Sequence, residues 1–244
     1  MHICSEEVDS MVSGTDTTAE PRTPLSKDRV LEAAVALADA QGIDALTMRN
    51  LAADLGVEAM SLYYHVANKE ALLNGVVDAV IVEIEQELGG FDIVAGEADW
   101  MEALRIRILT ARTVMLRHPW APGVIETRTT MTPDLLRYMD TLLGILIEGG
   151  FSNDLGHHAM HALGSRALGF NQELFAPEDP SDQDEEAAAM LQDLAPQLPY
   201  IIGMLADVAH DDPDSTLGWC DDQSEFEFGL DLIINGLEAR RTAS

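Results

Sequence analysis

Between Thr47 and Lys69 the chain gathers side chains whose types and spacing suit contact with a nucleic acid rather than catalysis. Glu58, Ala59, Met60 and Ser61 fall on the outer face of a short helix, where the base edges of a duplex would lie. Arg49 opens the helix before it, and its guanidinium fork can reach a groove and pair with guanine O6 and N7. Lys69 and His65, with Arg22 and Lys27 upstream, sit at helix starts or flanks, where helix dipoles also favour phosphate.

The elements that must position these groups follow from the apolar spacing. Leu51, Ala52 and Leu55 form a stripe on one short helix, and Gly56 stands where the chain leaves it, a place for positive φ. Val57 and Leu62 anchor the second short helix from beneath. Helix, glycine turn and helix make a helix-turn-helix, which presents one helix to the major groove. Upstream, Ser26 is a suitable cap for a helix running to about Gln41, with the stripe Leu31, Ala34, Val35 and Ala38 and a stop at Gly42. Asn68 can cap a longer helix whose buried stripe is Leu73, Val76, Val77, Val80, Ile81 and Ile84. Residues 25–88 thus read as three compact helices followed by a longer fourth. The plainer reading of the same pattern is a helical pack with no ligand.

Residues Leu25 to Leu73 resemble the DNA-binding domain of the Tet repressor (TetR) family, most specifically in Leu62-Tyr63-Tyr64-His65-Val66-Ala67-Asn68-Lys69. A weaker resemblance extends over the C-terminal half. There Glu225-Phe226-Glu227-Phe228-Gly229-Leu230 and Gly236-Leu237-Glu238 look like the closing helix of a tetracycline-repressor-like domain. The resemblance implies an all-helical, homodimeric, ligand-responsive repressor. It implies that Thr47, Tyr63, His65 and Lys69 grip phosphates, and that Arg49 and the face Glu58, Ala59, Met60 and Ser61 meet bases. Ala59 and Met60 offer no hydrogen bonds, so specificity there would rest on apolar contacts such as thymine methyls.

Net charge is −29, unusual for a protein that binds DNA. The acid is unevenly placed. Residues 22–75 carry five Lys and Arg against seven acids, whereas residues 76–244 carry nine against 31. A phosphate grip can work if those few cations point the same way, with weak non-specific binding and a steep loss of affinity in salt. Residues 1–23 are polar and acidic and read as a disordered leader, not a signal peptide. Two cysteines, Cys4 and Cys220, suggest no disulfide framework and fit a reducing cytoplasm. No apolar run approaches a membrane span.

Beyond Leu88, Gly89-Gly90 and residues 92–99 read as a linker. A helix from Trp100 carries Leu104, Ile108, Ala111 and Met115 and stops at His118-Pro119; residues 122–132 are poorly defined. Thr132-Pro133 opens a helix that is apolar almost all round and so expected to be central. Ser152 or Asn153 caps the next, to about Phe175, followed by an acidic loop at 176–184. Two more helices are expected at about 199–209 and 225–240. On the last, Phe226, Leu230, Ile233 and Leu237 recur at spacings of four, three and four. With the small residues of the 153–175 helix, that strip can pair with its symmetry mates in a four-helix interface; packing within one chain is the alternative.

Trp100, Arg105, Trp120, Met139, His158, Arg166 and Phe170 are the candidate ligand-binding residues, large or polarizable groups on the central helices. His157 and His161 stand at i, i+4, a spacing a metal can bridge, but no third ligand is near in sequence and no metal or other cofactor is assigned. No phosphate loop, GxSxG elbow or CxxC appears, and no enzyme is expected.

The expectation is an all-α protein. A helix-turn-helix domain spans 24–75, with its fourth helix running to about 88, and a ligand-binding and dimerisation domain spans 89–244. Its partners would be a palindromic DNA operator, a small effector and a second copy of itself, in the cytoplasm and away from any membrane. The alternative is a helical protein that binds a small molecule or metal and carries a vestigial DNA-binding head.

Overall fold

Ser26 starts the first helix, α1 (Lys27–Gln41), by accepting the Arg29 amide on its side-chain oxygen at 3.2 Å. The computed structural model describes residues 24–89, 99–169, 194–208 and 222–243, and every regular element among them is helical. The expected leader, the linker after Gly89 and the acidic loop lie outside the described residues.

α1 leads through a single 3-10 turn, Ile43–Ala45, into α2 (Met48–Leu55) and α3 (Ala59–Leu62). Gly56, at φ 64°, ends α2 in the left-handed conformation, with its N–H turned back on Ala52 and Ala53. Asn68 caps α4 (Lys69–Glu87), its side-chain oxygen accepting the Ala71 amide at 2.8 Å. Val30, Ala34, Leu51, Leu62 and Leu72 are fully or almost fully buried and hold these four helices together. Gly75 of α4 lies directly under Leu31 of α1; a Cβ there would stand 2.5 Å from a Leu31 methyl.

α4 is shared. One side packs on α1 and the other on α5 (Trp100–Arg117), α6 (Ala121–Glu126) and α7 (Pro133–Glu148). α8 (Asn153–Gly169) lies across α7, α5 and α6, and the closing helix α10 (Asp222–Ala243) across α8 and α5. Between them, α9 (Pro199–Val208) packs on the 3-10 turn Ala195–Gln197. The apolar core is continuous from Val30 in α1 to Leu237 in α10.

Two expectations change, and one open alternative is resolved. The poorly defined stretch holds α6, because Pro122 sits in its first turn, where a missing N–H costs nothing. α7 is not buried all round: Leu135, Tyr138, Leu142 and Leu146 face the core, while Leu136 (51% exposed) and Ile147 (36%) face outward. Ser152, not Asn153, caps α8, accepting the Leu155 amide at 3.2 Å.

Candidate nucleic-acid interface and effector cavity

The head presents a compact polar and apolar face. Thr47 caps α2 by accepting the Asn50 amide at 3.1 Å, which leaves its hydroxyl hydrogen free to point elsewhere. Arg49, one residue inside α2, is exposed, as are Glu58 and Lys69. Leu62 and Val66 are buried beneath α3, so the residues between and before them turn outward. Met60 is 72% exposed and Tyr63 46%. Thr47, Ala59, Ser61 and His65 are half-buried at the edges of this face. Tyr64, 90% exposed, stands on the same turn and was no part of the expected set; its doubled Tyr-Tyr was the only sequence signal for it.

A polar clasp joins the head to the helices behind it. Asp39 Oδ1, on α1, accepts the Trp120 indole N–H at 2.7 Å and faces His118 Nδ1 at 2.8 Å. The other ring nitrogen of His118 meets Glu83 of α4 at 3.1 Å. Glu83 also accepts from Arg117 at 2.6 Å, and Arg117 reaches Glu87 as well. Burial pushes the Glu83 carboxyl up, but the hydrogen bonds from Arg117 and His118 outweigh it and hold it below its usual range.

Behind α4 lies a cavity of about 250 Å³ among α4 to α8. Its walls are Ile81, Ile108, Met115, Leu142, Met160, Leu163 and their neighbours, almost wholly apolar. Gly164 and Ala167 leave the space that larger residues would fill. Tyr138 closes one wall, and burial pushes its hydroxyl well above the ordinary range, so it stays neutral. Glu126, the last residue of α6, and Arg128, just beyond it, supply the charge.

Two family models match most of the chain. Residues 30–76 match the description "Bacterial regulatory proteins, tetR family", and residues 94–241 match "Tetracyclin repressor-like, C-terminal domain". The chain belongs to the TetR family. Among TetR-family relatives, the class D tetracycline repressor protein of Escherichia coli is 32% identical over 224 residues, which cover 90% of this chain and 92% of that one. The transcriptional repressor DrrR1 of Streptomyces coeruleorubidus is 28% identical over 232 residues, 93% of this chain and 82% of its own. Among solved structures, apo ActR from Streptomyces coelicolor superposes with a TM-score of 0.71 at 25% identity, covering 91% of this chain and 98% of that one. ActR in complex with actinorhodin gives 0.70 at 27%, covering 90% and 99%.

Within this TetR-family frame the candidate ligand residues scatter. Met139 lines the cavity. Trp120 lines a separate cleft between head and core and is committed to Asp39. Trp100 is buried edge-on against Phe151, and Arg105 is paired with Asp231 at 2.8 Å and Glu227 at 2.6 Å. Arg166 packs over the Phe226 ring, and His158 is exposed on α8. Phe170 lies outside the described residues. Trp100, Trp120, Arg105 and Arg166 are thus engaged in packing, hydrogen bonds and ion pairs, and the cavity formed where small residues face aliphatic ones.

Within the single chain the proposed interface strip is already largely covered. Phe226, Leu230 and Leu237 are 0%, 0% and 8% exposed, and Ile233 is half-buried, because α5 and α8 of the same chain already cover them. Even Gly229 is used within the chain: a Cβ there would meet the Arg166 guanidinium at 2.6 Å. The apolar residues left outward on α10 are Phe228 (63%) and Leu232 (59%). On α8, His158, His161 and Ala162 are exposed. The rings of His157 and His161 lie 4.6 Å apart between centroids, and among the described residues no three His, Cys, Asp or Glu groups gather to hold a metal. No helix among the described residues is long and apolar enough to cross a membrane.

Proposed function

We propose that this chain represses transcription by holding an operator with its helix-turn-helix and releases it when a small molecule enters the cavity behind α4. The observation that carries this reading is the position of α4. Its first residue, Lys69, is exposed in the head at the mouth of the cleft that Trp120 also lines, and three turns later Ile81 forms part of the cavity wall. A ligand that packs against α4 can therefore bias the position of the head, and differential affinity for two head positions is all that release requires.

The residue roles follow from the family resemblance. Thr47, Tyr63, His65 and Lys69 contact phosphates; Arg49 and the face from Glu58 to Ser61 contact bases, with Met60 offering an apolar surface to thymine methyls. Residues 24–75 form the head, α4 continues to Glu87, and the remainder binds effector and partner. Two copies meet through the outer faces of α8 and α10, around Phe228 and Leu232, so that two heads read a palindromic site in the cytoplasm.

A mobility shift on the DNA upstream of the chain's own gene, at low salt and with or without EDTA, tests this reading. A shifted band unaffected by EDTA supports it. No band at any protein concentration would favour a helical binding protein with a vestigial head. A band lost only with EDTA would point to a metal-dependent protein.

A further inference from the structure

Arg128 is the one cationic side chain lining the apolar cavity among the described residues, and it is poorly satisfied. Its side chain is only 11% exposed. Its Nε donates to the Val124 carbonyl at 3.3 Å and its Nη2 to Thr127 Oγ1 at 3.3 Å, both long bonds. Its Nη1 lies 3.2 Å from Glu70 Oε1, within ion-pair distance, but that approach misses hydrogen-bond geometry and the buried nitrogen has no other acceptor. Glu70 itself is 59% exposed and keeps much of its hydration.

We propose that the effector is an apolar, ring-containing acid whose anionic oxygen takes Arg128 Nη1 away from Glu70. The inference rests on the cavity being the effector site and adds the ligand's charge and the contact it breaks. A carboxylate or comparable oxyanion placed in the cavity gives the buried guanidinium the aligned, charge-assisted bond that Glu70 does not. The methionines and aliphatic residues of the walls accept a flat hydrocarbon body. Glu70 lies in the first turn of α4, next to Lys69, so losing Arg128 frees the end of α4 nearest the DNA from the loop after α6.

Calorimetric titration of the full chain with 2-naphthoate and with its uncharged isostere 2-naphthamide tests the inference. The naphthoate should bind about tenfold more tightly than the amide. Arg128→Gln should erase that preference and Arg128→Lys should keep part of it, whereas Glu70→Gln, which removes the competing carboxylate, should widen it. Hydrogen exchange of the amides at 71–75 should quicken when naphthoate, but not naphthamide, is bound. Ala111→Trp, which fills the cavity, should abolish binding of both probes. Equal affinity for the two probes, or a preference unchanged in Arg128→Gln, overturns the inference while leaving the cavity as effector site if Ala111→Trp still blocks binding. If neither probe binds, or if Ala111→Trp binds both normally, the cavity reading falls and this inference with it. Unchanged exchange at 71–75 on naphthoate binding overturns the link to α4.

Discussion

Leu232→Asp should separate two copies of the chain without unfolding either, and Leu230→Ala should do the reverse. The two residues are neighbours but one on α10, which turns them about 200° apart around the helix. Leu230 is fully buried under α5 and α8, while Leu232 is 59% exposed. Truncating Leu230 leaves a hole in the core and should cost about 2–5 kcal/mol, roughly 4–20 °C of melting temperature for a chain of this size. The Leu232 change acts mostly on surface in the single chain, where losing the part already covered should cost about 1 kcal/mol. In the proposed dimer each copy instead forfeits about 1–2 kcal/mol of leucine burial, scaled from the fraction left exposed. Two-fold symmetry doubles this to about 2–4 kcal/mol, roughly 30- to 1,000-fold in dissociation constant, before the cost of the buried carboxylates. Sedimentation velocity at micromolar concentration reads the first effect and thermal melting the second. A Leu232→Asp chain that stays dimeric, or a Leu230→Ala chain that melts like wild type, refutes the assignment of inner and outer faces.

Other expectations are as direct. Lys69→Ala should weaken operator binding about equally on matched and mismatched DNA and flatten the salt dependence by about one unit of slope, read by fluorescence anisotropy across a salt series. Glu83 is held below its usual range in the folded chain, so its contribution is present above the unfolded value near 4.5 and is lost as pH falls. Glu83→Gln should therefore lower stability at neutral pH and lose less of it on acidification; melts at pH 7 and pH 4 with parallel losses in both chains would contradict this. Gly149→Ala would place a methyl 2.8 Å from Trp100 Cβ, an atom fixed to backbone, and should cost about 1–3 kcal/mol in chemical denaturation. A neutral substitution there would mean the α5 to α7 packing is looser than the geometry indicates.

Local signals in the sequence were legible because their physics is local. The caps at Ser26, Asn68 and Thr132 bond amides three residues on, and Gly56 takes the positive φ its place in the turn demanded. Leu104, Ile108, Ala111 and Met115 of α5 all bury as their spacing required. On α1 the buried face turned slightly, to Val30, Ala34, Leu37 and Ala38, and left Leu31 free to cover Gly75. What the spacing did not carry is the identity of the covering surface. The α10 strip was correctly apolar, yet whether α8 of the same chain or of a second copy lies on it is decided by packing between residues some 60 apart. The clasp of Asp39 with His118 and Trp120 spans about 80 residues and has no sequence signature. A cavity is harder still, being a place where side chains stop short; Gly164 and Ala167 mark it only once α4 to α8 are assembled around them.

Sequence-specific DNA reading by two symmetric heads is the proposal on which the rest depends. Selection of bound duplexes from a random DNA pool by the wild-type chain tests it most directly, with Arg49→Ala alongside. Two symmetric heads should enrich two inverted half-sites spaced by about one helical turn or a multiple of it, with preference at one base pair in each half-site relaxed in Arg49→Ala. A pool that stays random through successive rounds, or a single unpaired motif indifferent to Arg49, would contradict it.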